Sequence, residues 1–293
     1  MQFFSYLING ISLGSVYALI ALGYTMVYGI AKMLNFAHGD VIMIGSYVVY
    51  FAFGASGLNP VLSIVLSMIV CTILGVVIER LAYRPLREAP SLAVLITAIG
   101  VSYLLQQVAQ LSWSSNPKSF TSVVSGMKPV SLFGGQLTIS AETIVTIVAC
   151  VVIMVVLMWF VNYTPAGHAM LAVSEDRGAA QLMGVNVNGT ISLTFAIGSA
   201  LAAIAGALLC SSYPTLQPTT GAMPGIKAFV AAVFGGIGSI PGAFVGGILL
   251  GIIENLSKAY ISTQLSDAIV FLVLVVVLIV VMIFNQSPQM IAM

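Results

Sequence analysis

Long apolar runs, separated by short polar interruptions, account for nearly the whole chain. A helix needs roughly 20 apolar residues to cross the hydrocarbon core of a bilayer, and runs near that length recur at 3–31, 61–78, 91–111, 142–161, 189–211 and 268–284. Residues 42–54 complete a further span after the polar stretch 32–41. The pattern breaks at Lys227. Residues 228–234 are too short to cross, and Gly235-Gly236-Ile237-Gly238-Ser239-Ile240-Pro241-Gly242 cannot continue a regular helix. A short helix, a glycine turn and a second helix over 243–256 are predicted, forming a re-entrant or broken segment. Such backbone persists at membrane depth only where protein or a water-lined cavity satisfies it. The pattern predicts an all-α polytopic membrane protein of about eight spans, one transmembrane domain over residues 1–293.

Small residues at helical spacing mark faces for close packing: Gly10, Gly14 and Ala18 in the first span, and Gly198, Ala202 and Gly206 in a later one. Arg80, Arg84 and Arg87 crowd the loop 79–90, and the positive-inside rule puts that loop in the cytoplasm. One span later, the Ser-, Pro- and Gly-rich stretch 112–141 is then external, and 162–188 returns to the cytoplasm. Lys32, Lys227 and Lys258 admit either side, so the first third and the last two spans are not oriented. The loop 162–188 has an organisation of its own. Ser174 can cap a short helix, with Glu175 and Asp176 in its first turn and Gly184 as its stop. Ala179, Ala180, Leu182 and Met183 supply apolar contacts, while Arg177 and Gln181 stay polar. This is either a solvated connector or a helix offered to a cytosolic partner.

Composition agrees. Of 293 residues 60% are hydrophobic and 6% charged, against about a quarter charged in soluble domains. Little mass is left for domains outside the bilayer, and a net charge of +1 excludes nucleic acid as a partner. Residues 1–5 carry no basic region, so the first run reads as a retained membrane segment. Cys71, Cys150 and Cys210 lie in apolar runs at spacings that match no metal or disulfide pattern, and read as small buried hydrophobes.

Three polar residues, Asn35, His38 and Asp40, fall at the break between two apolar segments. Ionisable groups there suggest a gate, a substrate pathway or a proton relay; alternatively they line a surface loop or satisfy a broken helix. Glu254 and Lys258 are spaced for an intrahelical ion pair, and Glu79 with Arg80 suggests a pair at a helix end. Enzyme signatures are missing: no H-E-x-x-H, G-x-S-x-G or C-x-x-C, and two separate histidines, His38 and His168, do not build a metal site. No phosphate-binding G-x-x-x-x-G-K-[ST] is present, so any ATP must be hydrolysed by another chain, and no cofactor is expected.

Several of these blocks together resemble a known family. Residues 13–30, L-G-S-V-Y-A-L-I-A-L-G-Y-T-M-V-Y-G-I, followed by L-N-F-A-H-G-D at 34–40, are similar to the N-terminal signature of the permeases of branched-chain amino acid ABC importers. E-R-L-A-Y-R-P at 79–85 resembles their first cytoplasmic loop. Gly167-His168-Ala169, running through Glu175 and Asp176 to Gly184-Val185, resembles their second. K-A-F at 227–229 with G-G-I-G-S-I-P-G-A at 235–243 resembles their broken segment. The resemblance implies a multi-pass protein of the bacterial inner membrane. It would work with a second permease subunit, two cytosolic ATPase subunits and a periplasmic substrate-binding protein. It also implies that the short helix in 162–188 enters a cleft of the ATPase, with Gly167, Ala172, Glu175, Asp176, Ala180 and Gly184 carrying the coupling. Asn35, His38, Asp40 and the glycines Gly235, Gly236 and Gly238 become candidates for the pathway or gate. The expected cargo is a branched-chain amino acid, with amides and urea open as relatives' cargo; a proton-coupled secondary transporter is the alternative class. One departure is the end of the chain, F-N-Q-S-P-Q-M at 284–290, which lacks the family's basic tail.

Overall fold

A computed structural model describes residues 2–124, 127–132 and 137–290. The helices are α1 (Gln2–Ala31), α2 (His38–Val49), α3 (Pro60–Ile78), α4 (Ser91–Trp113), α5 (Ala141–Tyr163), α6 (Pro165–Glu175), α7 (Arg177–Leu182), α8 (Val187–Ser212), α9 (Ala222–Phe234), α10 (Ile240–Tyr260) and α11 (Ser266–Met290). Among the described residues six helical stretches are long and apolar enough to cross a membrane: α1, Pro60–Leu86, α4, α5, α8 and α10. α2, α9 and α11 add shorter apolar helices, consistent with the expected count of about eight.

Burial sorts these helices into two classes. The most apolar 18-residue window of α1 is 94% buried inside the protein, whereas those of α3, α4 and α5 are 28%, 17% and 22% buried. α1 is therefore the axis, and α3 to α5 turn apolar side chains such as Leu62, Leu104 and Val155 outward, as lipid requires. What lets α1 sit inside is its row of small residues. It runs antiparallel to α10, and a Cβ on Gly14 would fall 2.7 Å from the backbone of Ile248. A Cβ on Gly251 would strike the backbone of Gly14 in return, and one on Gly247 that of Ala18. Backbone lies on backbone, and dispersion contacts replace side-chain interdigitation. α8 meets the other side of α1 the same way, Gly198 on Gly23, and packs on α2 through Gly206 against the Ile42 carbonyl. Both predicted small-residue faces are used.

Two helices begin inside the bundle rather than at its surface. After α1 the chain turns back inward through 32–37, and α2 opens at His38, four residues before the predicted start at 42. His38 and Asp40 thereby join the first turn of a buried helix. α9 opens at Ala222, not 228. Pro224 looked like a loop residue, but in a helix's first turn its missing N–H has no partner to lose. The two starts touch, since a Cβ on Gly39 would lie 2.7 Å from the Gly221 carbonyl. From there α2 runs to one end of the bundle and α9 to the other. The predicted glycine turn follows α9: Gly236 (φ +87°) and Gly238 (φ +100°) take the left-handed conformation that only glycine adopts without strain. Gly238 rests on Gly29.

The all-α expectation holds, with two very short ribbons joining loops. At the end away from α6 and α7, Lys118–Ser119 (β1) pairs with Thr215–Leu216 (β4), and Val130–Leu132 (β2) with Leu137–Ile139 (β3), both antiparallel. These ribbons staple loops that already lie side by side. Residues 125–126 and 133–136 of the expected external loop, and 291–293 beyond the atypical tail, lie outside the described residues. The helix α11 continues through 284–290 as far as Met290.

Candidate functional site

α6 and α7 lie at one end of the bundle, separated by the single extended residue Asp176. Thr164 ends α5 and caps α6, its Oγ1 accepting from the Gly167 amide at 3.0 Å, with Pro165 in the first turn. Gly167 packs against the Phe160 and Val161 carbonyls with no room for a Cβ, so the tight corner demands glycine. Met170 and Val173 bury the inner face of α6. The predicted cap is displaced by two residues: Ser174 stays inside α6, its hydroxyl donating to the Leu171 carbonyl at 2.7 Å. Asp176 caps α7 instead, Oδ1 accepting from the amides of Gly178 (2.7 Å) and Ala179 (3.0 Å). A carboxylate at a helix start gains from the dipole as well as from two donors, which outcompetes a serine hydroxyl. Glu175 therefore ends α6 rather than opening α7.

α7 closes as predicted at Gly184. The Gly184 amide donates to the Gln181 carbonyl and the Val185 amide to that of Ala180, both at 3.0 Å, with Gly184 at φ +86°. This paired closure is the Schellman arrangement. It turns Ala180 inward, where it is buried, and throws Leu182 and Met183 outward at 90% and 84% exposure. Ala172, Glu175 and Asp176 are exposed; Gly167 and Ala180 are buried. The most exposed apolar pair is thus Leu182 and Met183. The sequence marks both as apolar, but only the geometry of the cap separates them from Ala180.

Arg177, the first residue of α7, donates to the carbonyl of Ala31 at the end of α1. Burial, and secondarily the nearby Arg87, lowers its pKa below the ordinary arginine value. A cavity of about 590 Å³ opens here, lined by Lys32, Arg87, Glu175, Asp176 and Arg177.

The arginine loop lies at the same end. Its expected ion pair is corrected: the buried Glu79 pairs with Arg87, not with Arg80. Arg87 also donates to Asn188 of α8, and the Ser192 hydroxyl donates to the second Glu79 oxygen at 2.6 Å. Neighbours on a helix point about 100° apart, so when Glu79 faces α8, Arg80 cannot. Arg80 and Arg84 are exposed and line an open cavity of about 450 Å³ with Asn186 and Asn188.

The structure brings Asn35, His38 and Asp40 into the bundle; all three are buried, so they are not a surface loop. They do not join each other. Tyr83 donates to Asn35 Oδ1 at 2.9 Å and Gln106 to Asp40 Oδ1 at 2.9 Å. His38 stacks edge-on to Tyr24 with 4.7 Å between centroids and presses on Gly23. Tyr24, Tyr83 and Gln106 are partners that sequence spacing could not supply. Gly235, Gly236 and Gly238 sit elsewhere, at the turn between α9 and α10 near the α7 end.

Glu254 makes the predicted contact with Lys258 (2.6 Å), but Lys227 of α9 reaches the same oxygen at 2.8 Å and Tyr17 of α1 donates to the other at 2.8 Å. A lone lysine in one apolar helix and a lone glutamate in another was the signal for this pairing. Cys71, Cys150 and Cys210 are free and buried. Among the described residues no three His, Cys, Asp or Glu side chains gather as metal ligands would.

Comparison with known proteins gives this geometry its context. The profile of a family described as "Branched-chain amino acid transport system / permease component" matches residues 6–278. LivH of Salmonella typhimurium, a high-affinity branched-chain amino acid transport system permease protein, is 43% identical over 92% of this chain and 91% of its own. BraD of Pseudomonas aeruginosa, named likewise, is 44% identical over 90% of this chain and 89% of its own. A probable branched-chain amino acid transport permease of Methanocaldococcus jannaschii is 31% identical over 84% and 78%. The chain, a helical membrane bundle with the two short helices α6 and α7 at one end, belongs to the branched-chain amino acid transport permease family.

Proposed function

We propose that this chain is the membrane-spanning subunit of an ATP-driven importer of branched-chain or closely related amino acids, in a bacterial inner membrane, and that α7 is where ATPase subunits drive it. The observation that carries this is the pair Leu182 and Met183, held in water by a helix whose two ends are both fixed, by Asp176 and by Gly184. Two large apolar side chains on a short, rigid helix are poor design for a connector and suit a cleft in a partner. Arg80, Arg84 and Arg87 at the same end support a cytoplasmic position. In this reading the full assembly has two permease subunits, two ATPase subunits and a substrate-binding protein. ATPase closure moves α7, and α7 is continuous with α5 through α6, with α8 through 183–186, and with α1 through Arg177. Gly167, Ala180 and Gly184 set the path of α6 and α7; Ala172, Glu175, Asp176, Leu182 and Met183 meet the partner.

The test is ATP-driven leucine uptake by the reconstituted transporter carrying Leu182→Asp and Met183→Asp together. Uptake should fall at least tenfold, with membrane insertion and elution profile of the permease unchanged. Wild-type uptake by the double variant would overturn the docking role. Bulky replacement of Ala180 or Gly184 should uncouple ATP hydrolysis from uptake as well, by misplacing the same two side chains.

A further inference from the structure

The half of the bundle away from α7 holds a set of charges that coupling does not use. Lys227 and Glu254 are 7% and 1% exposed in their side chains, and Lys227 also reaches Asp267 of α11 at 2.6 Å. With Lys258 the set comprises two ammonium and two carboxylate groups, joined by the Tyr17 hydroxyl. Uncompensated charge in an apolar interior is costly, so the balance is itself informative. A ligand of net charge would leave one member of the set without an opposite.

These groups do not fill the space between their helices. Tyr17, Lys227, Glu254 and Lys258 line a cavity of about 200 Å³ together with the apolar Leu13, Leu209 and Met223. Tyr213 lines it too and is half exposed. Lys258 is 31% exposed and among the described residues is bonded to Glu254 alone, leaving its ammonium donors to spare. Charges of both signs beside an aliphatic wall complement a molecule that has both charges at one end and a branched hydrocarbon at the other.

We propose that this cavity between α1, α8, α9 and α10 is a docking site for a zwitterionic α-amino acid with an aliphatic side chain. Its carboxylate meets Lys258, its ammonium meets Glu254, and its side chain lies on Leu13, Leu209 and Met223. A zwitterion adds no net charge, so the cluster stays balanced when the site fills. The inference deepens the importer reading by naming a site in the permease itself.

The assembled transporter without its substrate-binding protein, in lipid nanodiscs, should bind radiolabelled leucine saturably. Leucinamide, which lacks the carboxylate, and 4-methylpentanoate, which lacks the ammonium, should each compete at least tenfold less well than leucine. Lys258→Gln removes a partly exposed partner, and Met223→Trp fills the apolar side without touching the ion pairs; each should weaken binding tenfold or more. Elution profile and melting midpoint establish that both variants are folded. Absence of saturable binding, equal competition by the two analogues, or wild-type affinity in folded variants overturns the site. ATP-driven leucine uptake persisting alongside such a result leaves the importer reading intact. A wild-type assembly with no ATP-driven amino acid uptake overturns that reading, and the binding data then judge the site separately.

Discussion

Glu79 shows how one residue's neighbours decide its role. Completely buried, it is compensated by Arg87 and by the Ser192 hydroxyl. Glu79→Gln would leave the Arg87 guanidinium largely buried without its anion, which costs about 3 kcal/mol when one partner of a buried pair is removed. The expected outcome is a clear drop in the melting midpoint of the detergent-purified protein. Arg80→Gln and Arg84→Gln, next door but exposed, should stay within about 0.5 kcal/mol of wild type in the same melt. The sequence displays three equivalent arginines; their inequivalence is a matter of which way the chain winds between 79 and 86. That stretch leaves regular α-geometry, through a wide turn over Glu79–Tyr83 and a tight one over Arg84–Leu86. No spacing rule for a regular helix could place Arg87 on Glu79.

Among the elements, α7 is the most exposed to test. Its six residues form no stable helix alone, since nucleation is costly and short helices are marginal in water. Its caps therefore matter in proportion. Asp176→Ala should cost about 1 kcal/mol, felt as local opening. Hydrogen exchange should accelerate over 177–183 while exchange in α1 and α8 stays as in wild type, and Asp176→Asn, which keeps an accepting oxygen, should restore protection. The presence of a short helix here was legible in the sequence, because a polar loop with small residues and a glycine stop is a local signal. Its start was not, because Ser174 and Asp176 are both good caps by residue type, and the choice shows only once Asp176 is seen accepting from two amides while Ser174 stays inside α6. The starts of α2 and α9 were misread for a related reason. His38 and Asp40 look like loop residues until Tyr24 and Gln106 are beside them, as does the start of α9 around Pro224 until Gly221 and Gly225 rest on Gly39, and those partners are distant in sequence.

For the molecule as a whole, the division into one enclosed helix and an outer set facing lipid makes a direct prediction. Single cysteines placed at Leu104 of α4 or Val155 of α5, both outward-facing, should react with a thiol probe dissolved in the bilayer. The native Cys71, Cys150 and Cys210, wholly buried, should remain unlabelled in the folded protein and supply a silent background. Strong labelling of the native thiols before unfolding would contradict the packing of α3, α5 and α8. The number of membrane segments was readable from apolar run length alone, since that property belongs to each segment separately. Which segment lies at the centre was readable only in part. The glycines of α1 announced close packing, but α8 carries a similar stripe, and nothing local says that α1 would be covered on nearly every side.

That enclosure of α1 bears on how the protein is made. The mean hydropathy of its most apolar 18-residue window is 1.6, against 2.9 and 3.1 for those of the α3 stretch and α5, because a helix designed to lie on other helices carries glycine, serine and tyrosine where a lipid-facing one carries valine and leucine. Yet α1 leaves the ribosome well before its principal neighbours, α8 and α10. For most of synthesis it must sit in lipid, or beside the insertion machinery, with its small-residue faces uncovered. A chain stopped after α8 lacks the partner that fits Gly10, Gly14 and Ala18. It should be recognised by membrane quality control and degraded, while supplying residues 222–290 as a separate polypeptide should rescue it. Completion of the fold thus waits on one of the last helices to emerge, a timing written into glycines at the start of the chain.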